Sequence, residues 1–228
     1  MAVVSYDISG KTCTLYTADS ENIPLIVLSN YADDGGPVWA EVKKLCDVDF
    51  NLLSVGGLNW GKDMTPWECP PLYKQEEPYS GGADEYTKLL ISEILPRAKE
   101  LIKGVPEHTG IAGYSLGGLY ALYNLYTCAA FDCAASVSGS LWFPEFKQYA
   151  MEHDFAQKPC KLYLSLGDAE DRSRNQMLRT VRENTQALAD HYKNMDIDVT
   201  WELNEGNHFK DATLRTAKGI AALLSAAR

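Results

Sequence analysis

One serine in this 228-residue chain stands where a hydroxyl can be made reactive. Ser115 has a glycine two residues away on each side, in Gly113-Tyr114-Ser115-Leu116-Gly117, and Gly118 follows. The stretch fits the pattern G-x-S-x-G. An apolar run, "TGIAGYS", leads into it, and an apolar segment of helical character, "LGGLYALYNLYTC", leads out. That context predicts a tight strand-to-helix turn, the nucleophile elbow. Side chains two residues either side of the serine would collide in such a turn, so both positions need glycine. Gly118 then lets the helix approach the sheet. The hydroxyl is held at a helix N-terminus, where unpaired N–H groups and the helix dipole favour developing negative charge. The competing reading is a glycine-rich turn shaped only for packing, and the flanking strand and helix argue against it.

A serine hydroxyl is a poor nucleophile at neutral pH and needs a base, which in turn needs an orienting acid. An elbow sets their order along the chain as serine, acid, histidine, each after a later strand. Of the four histidines, His108 precedes the elbow strand, His153 sits in the connection 143–159, and His191 lies at the polar end of a helix. His208 alone follows the last strand, in "NEGNHFKD", where Gly206 and Asn207 supply a turn. It is the predicted base. The acid should follow the strand "KLYLSLGD", where Asp168, Glu170 and Asp171 crowd together. Glu170 ranks first, then Asp171, then Asp168, which is close to the strand end. Two backbone donors are needed for an oxyanion. One is Leu116. The other belongs to the loop after "PLIVLSN", at Asn30 or Tyr31. Gly35 and Gly36 read as turn residues.

These residues need a frame. "AVVSYDI" and "TCTLYTA" flank a Ser9-Gly10-Lys11 turn and read as a hairpin. From about residue 24, strand and helix patterns alternate to the C-terminus: "PLIVLSN", "GGPVWAEVKKLCD", "FNLLSVGG", "DEYTKLLISEILPRAKELI" with a kink expected before Pro96, the elbow pair, "FDCAASVSGS", "PCKLYLSLGD", "RNQMLRTVRENTQALADHY", "IDVTWELNEG" and "DATLRTAKGIAALLSAAR". Alternation of this kind specifies a mostly parallel sheet with helices on both faces, in the α/β class. A single domain spanning 1–228 is the economical reading. Residues 58–83 are irregular and proline-rich, as functional loops often are. They supply Trp60, Trp67, Tyr73 and Tyr79, which with Trp142 offer a substrate wall or simply anchor the loop.

Composition narrows the class further. Hydrophobic residues make up 46% and charged residues 23%, as in a folded globular protein. The net charge of -10 disfavours nucleic acid and anionic membranes as partners. No signal-like segment or membrane-length apolar run is present. The six cysteines are scattered, with no CxxC and no metal-type pairing with histidine, so reduced thiols, a cytoplasmic location and no metal or cofactor are expected.

Ser115 in "GYSLGG", the acidic cluster at 168–171 and His208 in "GNHF" together resemble the α/β-hydrolase superfamily. Within it, with "EILPRA" and "SVSGSLWF" flanking the elbow, the chain looks like the putative-esterase family, which includes enterochelin-type siderophore esterases, feruloyl esterases and S-formylglutathione hydrolase. The resemblance implies an α/β-hydrolase fold, without a cap domain because 143–159 is short. It also implies hydrolysis of small soluble carboxylic esters through Ser115, His208 and Glu170. Where the family usually has His-Gly after the third strand, this chain has Asn30-Tyr31. The same residues would suit an acyltransferase or amidase, and the fold alone would suit a non-catalytic binding protein.

Overall fold

The structure is a computed structural model that describes residues 2–31 and 34–225. It opens with a hairpin of β1 (Ala2–Ile8) and β2 (Lys11–Thr17). Ser9 and Gly10 both have positive φ, 50° and 78°, the two-residue turn whose twist matches a hairpin's strands. Next come β3 (Leu25–Ser29), α1 (Gly36–Leu45) and β4 (Asn51–Gly56). Residues 58–83 hold more structure than their composition suggests: a turn of helix, α2 (Trp60–Asp63), and a two-residue ladder of β5 (Glu68–Cys69) with β6 (Tyr79–Ser80). A long helical segment follows, α3 (Ala83–Leu89), a π-helical turn (Leu90–Ile94) and α4 (Leu95–Leu101). The break expected before Pro96 therefore takes the form of a π turn. Widening the register by one residue accommodates a ring that has no N–H and would clash with the preceding turn.

The second half is built of β7 (Thr109–Tyr114), α5 (Leu116–Thr127), β8 (Cys133–Val137), α6 (Phe146–Glu152), β9 (Lys161–Gly167), α7 (Gln176–Arg179), α8 (Val181–Asn194), β10 (Asp198–Asn204) and α9 (Ala212–Leu224). The connection 143–159 thus contains one seven-residue helix and nothing resembling a cap. Residues 226–228, at the end of the predicted last helix, lie outside the described residues.

Eight strands form one sheet in the order β1-β2-β4-β3-β7-β8-β9-β10. Only the β1–β2 and β2–β4 pairs are antiparallel, and every other pair is parallel. The inner parallel strands β3, β4, β7, β8 and β9 are buried on both faces and read as largely apolar runs, whereas the edge strand β10 is only partly buried. Alternate residues feed two cores. Leu25, Val27, Leu53 and Leu164 point to the side covered by α3–α5 and α8, where Leu119, Ile94 and Tyr192 are buried. Ile26, Leu28, Leu52 and Tyr163 point to the side covered by α1 and α9, with Trp39, Ile220 and Leu223.

The chain runs from β3 outward to β4, then returns to β7 on the other side of β3. The strand order reverses there, so a crevice opens at the C-terminal ends of β3 and β7. This is an α/β-hydrolase fold, and Ser115 follows β7 directly at that crevice.

Candidate active site

The sharpness of the turn at Ser115 comes from the backbone. Its φ of 59° and ψ of -123° lie in a region side-chain-bearing residues avoid, and the neighbourhood over-determines it. The Ser115 amide donates to Val137 O at 3.0 Å, and its carbonyl accepts from the amides of Gly118, Leu119 and Ser140. A Cβ on Gly113 would lie 2.3 Å from the Gly117 carbonyl carbon, so glycine is the residue that closes this turn.

Three side chains meet there. His208 Nε2 lies 3.0 Å from Ser115 Oγ, and His208 Nδ1 lies 2.7 Å from Glu170 Oε2. A carboxylate can only accept, so the imidazole proton sits on Nδ1 and Nε2 faces the serine as an acceptor. The other oxygen of Glu170, Oε1, accepts from the Gly167 amide at 2.6 Å and from Arg215 Nη1 at 3.2 Å. Burial alone would raise the Glu170 carboxyl. The His208 hydrogen bond and charge, the Gly167 amide and Ser138 outweigh it and hold the group below the usual carboxylate range.

The neighbouring acids have other partners. Asp168 Oδ1 accepts from the Gly206 amide at 2.9 Å, tying the end of β9 to the His208 loop. Asp171 faces Arg182 at 3.9 Å. The other histidines do not join the group. His153 Nδ1 lies 2.9 Å from Tyr149 O, His191 packs beside Tyr192, and the half-buried His108 sits before β7 at the far end of the sheet.

Of the two residues after β3, Asn30 has its amide engaged by Val55 O at 2.9 Å, so Tyr31 is the remaining candidate for a backbone donor on that side. Ser140 brings a second hydroxyl within 3.3 Å of Ser115 Oγ.

Two clefts meet at Ser115, of about 460 Å³ and about 660 Å³. The smaller is walled by Trp60, Trp142, Tyr73, Tyr79, Leu72 and Leu178. The larger runs between Tyr31 and α9. Trp60, Glu76 and Phe209 border both, and Phe209 is 86% exposed. Trp67 corrects the sequence reading. It turns away from Ser115, donates to Pro144 O at 3.1 Å, and packs against Tyr123, Phe143 and Tyr149. A loop without periodicity gives no signal of which tryptophan faces which way.

Arg215 escaped the sequence reading entirely. It is 1% exposed, on the buried stripe of α9 that includes Gly219 and Leu223. A cation four residues before Gly219 on an apolar face demands a buried acceptor, and that was the available signal. Among the described residues no cluster of His, Cys, Asp and Glu is arranged to hold a metal. All six cysteines are free thiols.

With this geometry in hand, comparison places the chain among known proteins. Residues 55–204 match the model of the family described as "Putative esterase". No curated protein sequence matches. Among solved structures, an IroE-like serine hydrolase from Shewanella oneidensis superposes with a TM-score of 0.78 at 16% identity, over 98% of this chain and 79% of that one. The siderophore hydrolase EstA from Aspergillus nidulans gives 0.74 at 18% identity, over 99% and 95%. A ferulic acid esterase gives 0.64 at 15% identity, over 98% and 97%. These likenesses establish the shared fold, and the family match goes further: the chain belongs to the Putative esterase family and is an esterase.

Proposed function

We propose that this chain hydrolyses small carboxylic esters through a covalent acyl-enzyme on Ser115. The observation that carries the reading is the continuous hydrogen-bonded line from Ser115 Oγ through His208 to Glu170, at 3.0 and 2.7 Å. Ser115 Oγ attacks the ester carbonyl while His208 Nε2 takes its proton. The carbonyl electron pair moves onto oxygen, where the Leu116 and Tyr31 amides receive it. Collapse expels the alcohol, which His208 protonates. His208 then takes a proton from water, whose oxygen attacks the acyl carbon, and returns that proton to Ser115 Oγ as the bond to the acyl carbon breaks and the acid leaves. Glu170 fixes the tautomer and stabilises the imidazolium.

Both clefts are open to solvent around Ser115, which favours water as the acyl acceptor over a second alcohol or an amine. The aromatic wall and the structural relatives named for siderophores and ferulic acid support small substrates, aromatic acyl groups among them. None of the described helices is long and apolar enough to cross a membrane. Six unpaired thiols suit a reducing compartment such as the cytoplasm.

A fluorophosphonate probe tests the chemistry: it should add to Ser115, found by peptide mass, and should not label Ser115→Ala. A p-nitrophenyl series from acetate to palmitate tests the substrate class. A buried methylene is worth roughly 0.8 kcal/mol, and an uncapped cleft gains little of it. The value of kcat/KM should peak at short or aromatic acyl groups, and a maximum at ten carbons or longer would overturn the small-ester reading.

A further inference from the structure

We infer that Arg215 is the positioning residue of this site, one guanidinium that locks the acid and the histidine loop onto the nucleophile strand. The inference rests on the ester-hydrolase reading and adds a residue from a helix that touches no substrate cleft through this side chain.

The side chain is buried from end to end, and each of its polar contacts belongs to the site. Nη1 donates to Glu170 Oε1 at 3.2 Å and to Ser138 Oγ at 3.2 Å, and it lies 3.5 Å from Tyr114 OH. Nη2 donates to Glu205 O at 2.8 Å. Tyr114 OH donates in turn to His208 O at 2.6 Å. Three segments distant in sequence thus converge on one planar group: the residue before Ser115, the acid, and both ends of the 205–208 loop. Ser138 joins them from the end of β8, with its backbone in the left-handed region at φ 44°. Gly167 is part of the fit, because a Cβ there would lie 3.0 Å from both Arg215 Nη1 and Nη2. A fork of fixed geometry can satisfy Glu170, Ser138 and Glu205 O at once, which a single ammonium cannot.

The electrostatic consequence has a sign. Glu170 is the one carboxylate bonded to both the imidazole and the guanidinium. Without the cation, its full negative potential falls on His208 and favours the imidazolium. The other charged and titratable groups around the site stay as they are. Glu205 is paired with Lys210 and Glu202 with Lys218, Asp168 is held by Gly206, Tyr114 packs against the His208 ring, and Glu76 stands across the cleft.

The test is steady-state kinetics of Arg215→Met and Arg215→Lys on one short-chain ester, with the pH profile of kcat/KM and a melting curve for each. Misplacing a catalytic group by about an ångström costs on the order of a hundredfold, so Arg215→Met should lose about that in kcat with KM within threefold. Its acid limb, which reports the free-enzyme base, should move to higher pH. Arg215→Lys keeps the charge and loses the fork, so its limb should stay at the parental pH with kcat roughly tenfold down. A folded Arg215→Met with parental kcat and an unmoved limb overturns the inference. So does Arg215→Lys at the full parental rate, a result that decides the matter even if the methionine variant does not fold. Ser115→Ala run alongside separates the two readings. If it stays active the hydrolase reading itself fails, and if it is dead while both Arg215 variants are normal only the positioning role fails.

Discussion

The two halves of the site are held by different means. Around Ser115 the main chain does the work: a positive φ, four backbone hydrogen bonds to the serine's own amide and carbonyl, and a glycine whose Cβ would have no room. Around Glu170 and His208 there is no regular element. Two main-chain bonds, from the Asp168 and Ala169 amides to Asn204 O and Gly206 O, join those loops, and side chains do the rest, through Asp168 to Gly206, Arg215 to Glu170 and Glu205, and Tyr114 to His208 O. A geometry fixed by backbone fails by unfolding. A geometry fixed by side-chain hydrogen bonds fails by losing rate while the protein stays folded.

The sharpest test of the first half removes only its chemistry. Ser115→Ala should lower kcat by about 10⁴-fold or more, with an unchanged melting temperature, since the backbone keeps the turn. Activity within tenfold of the parent would remove Ser115 from the mechanism. In the second half Glu170→Gln should cost roughly 10³-fold in kcat, because the amide no longer stabilises the imidazolium. Asp171→Asn should stay near the parental rate, and Asp168→Asn should fall between, since it loosens only the tie to Gly206. Equal rates for all three would mean that His208 works without an acid.

Gly113→Ala reverses the pattern. A methyl forced against the Gly117 backbone should destabilise by about 3 kcal/mol, roughly a hundredfold in the folding equilibrium. Urea melting measures it, and a parental midpoint would show that the turn is less constrained than its contacts imply. The smallest effect is in pH. The Glu170 carboxyl is held low in the folded protein, so its contribution to stability is present above the unfolded carboxylate value, about 4.3, and is lost as pH falls through the folded value. The gap in melting temperature between the parent and Glu170→Gln should therefore close on acidification. A gap that widens instead would give the wrong sign for a depressed carboxyl.

The same division explains what could be read from sequence. Ser115 is legible because a backbone constraint leaves a local mark: glycines at fixed offsets between an apolar strand and an apolar helix. His208 and the acid loop are legible through order along the chain, each just past a strand, but order alone leaves Asp168, Glu170 and Asp171 open as the acid. The sheet is legible through its largely apolar runs. Arg215, Tyr114 and Ser138 are not, because their partners lie up to 101 residues away and no short pattern records that distance. Which of its two readings Trp67 follows, wall or anchor, is illegible for a related reason, since ring packing against Phe143 and Tyr149 leaves no periodic trace. The helix Phe146–Glu152 was hidden by its brevity, and the loss of Asn30 as an oxyanion donor depends on a bond to Val55 O across two strands.

One feature of the sheet bears on how the enzyme ages under heat. The strand that carries the His208 loop, β10, lies at the sheet's edge and is laddered to β9 alone. Edge strands open at a lower free energy than the centre of a sheet, whereas Ser115 is anchored beside β7, which is flanked on both sides. Warming should therefore loosen the His208 loop before it melts the molecule. Amide protons of β10 are expected to exchange ahead of those of β7, and activity to fade, reversibly, some degrees below the global transition. A heat-hardened version of this esterase is best sought by fastening its outermost strand, leaving the core as it is.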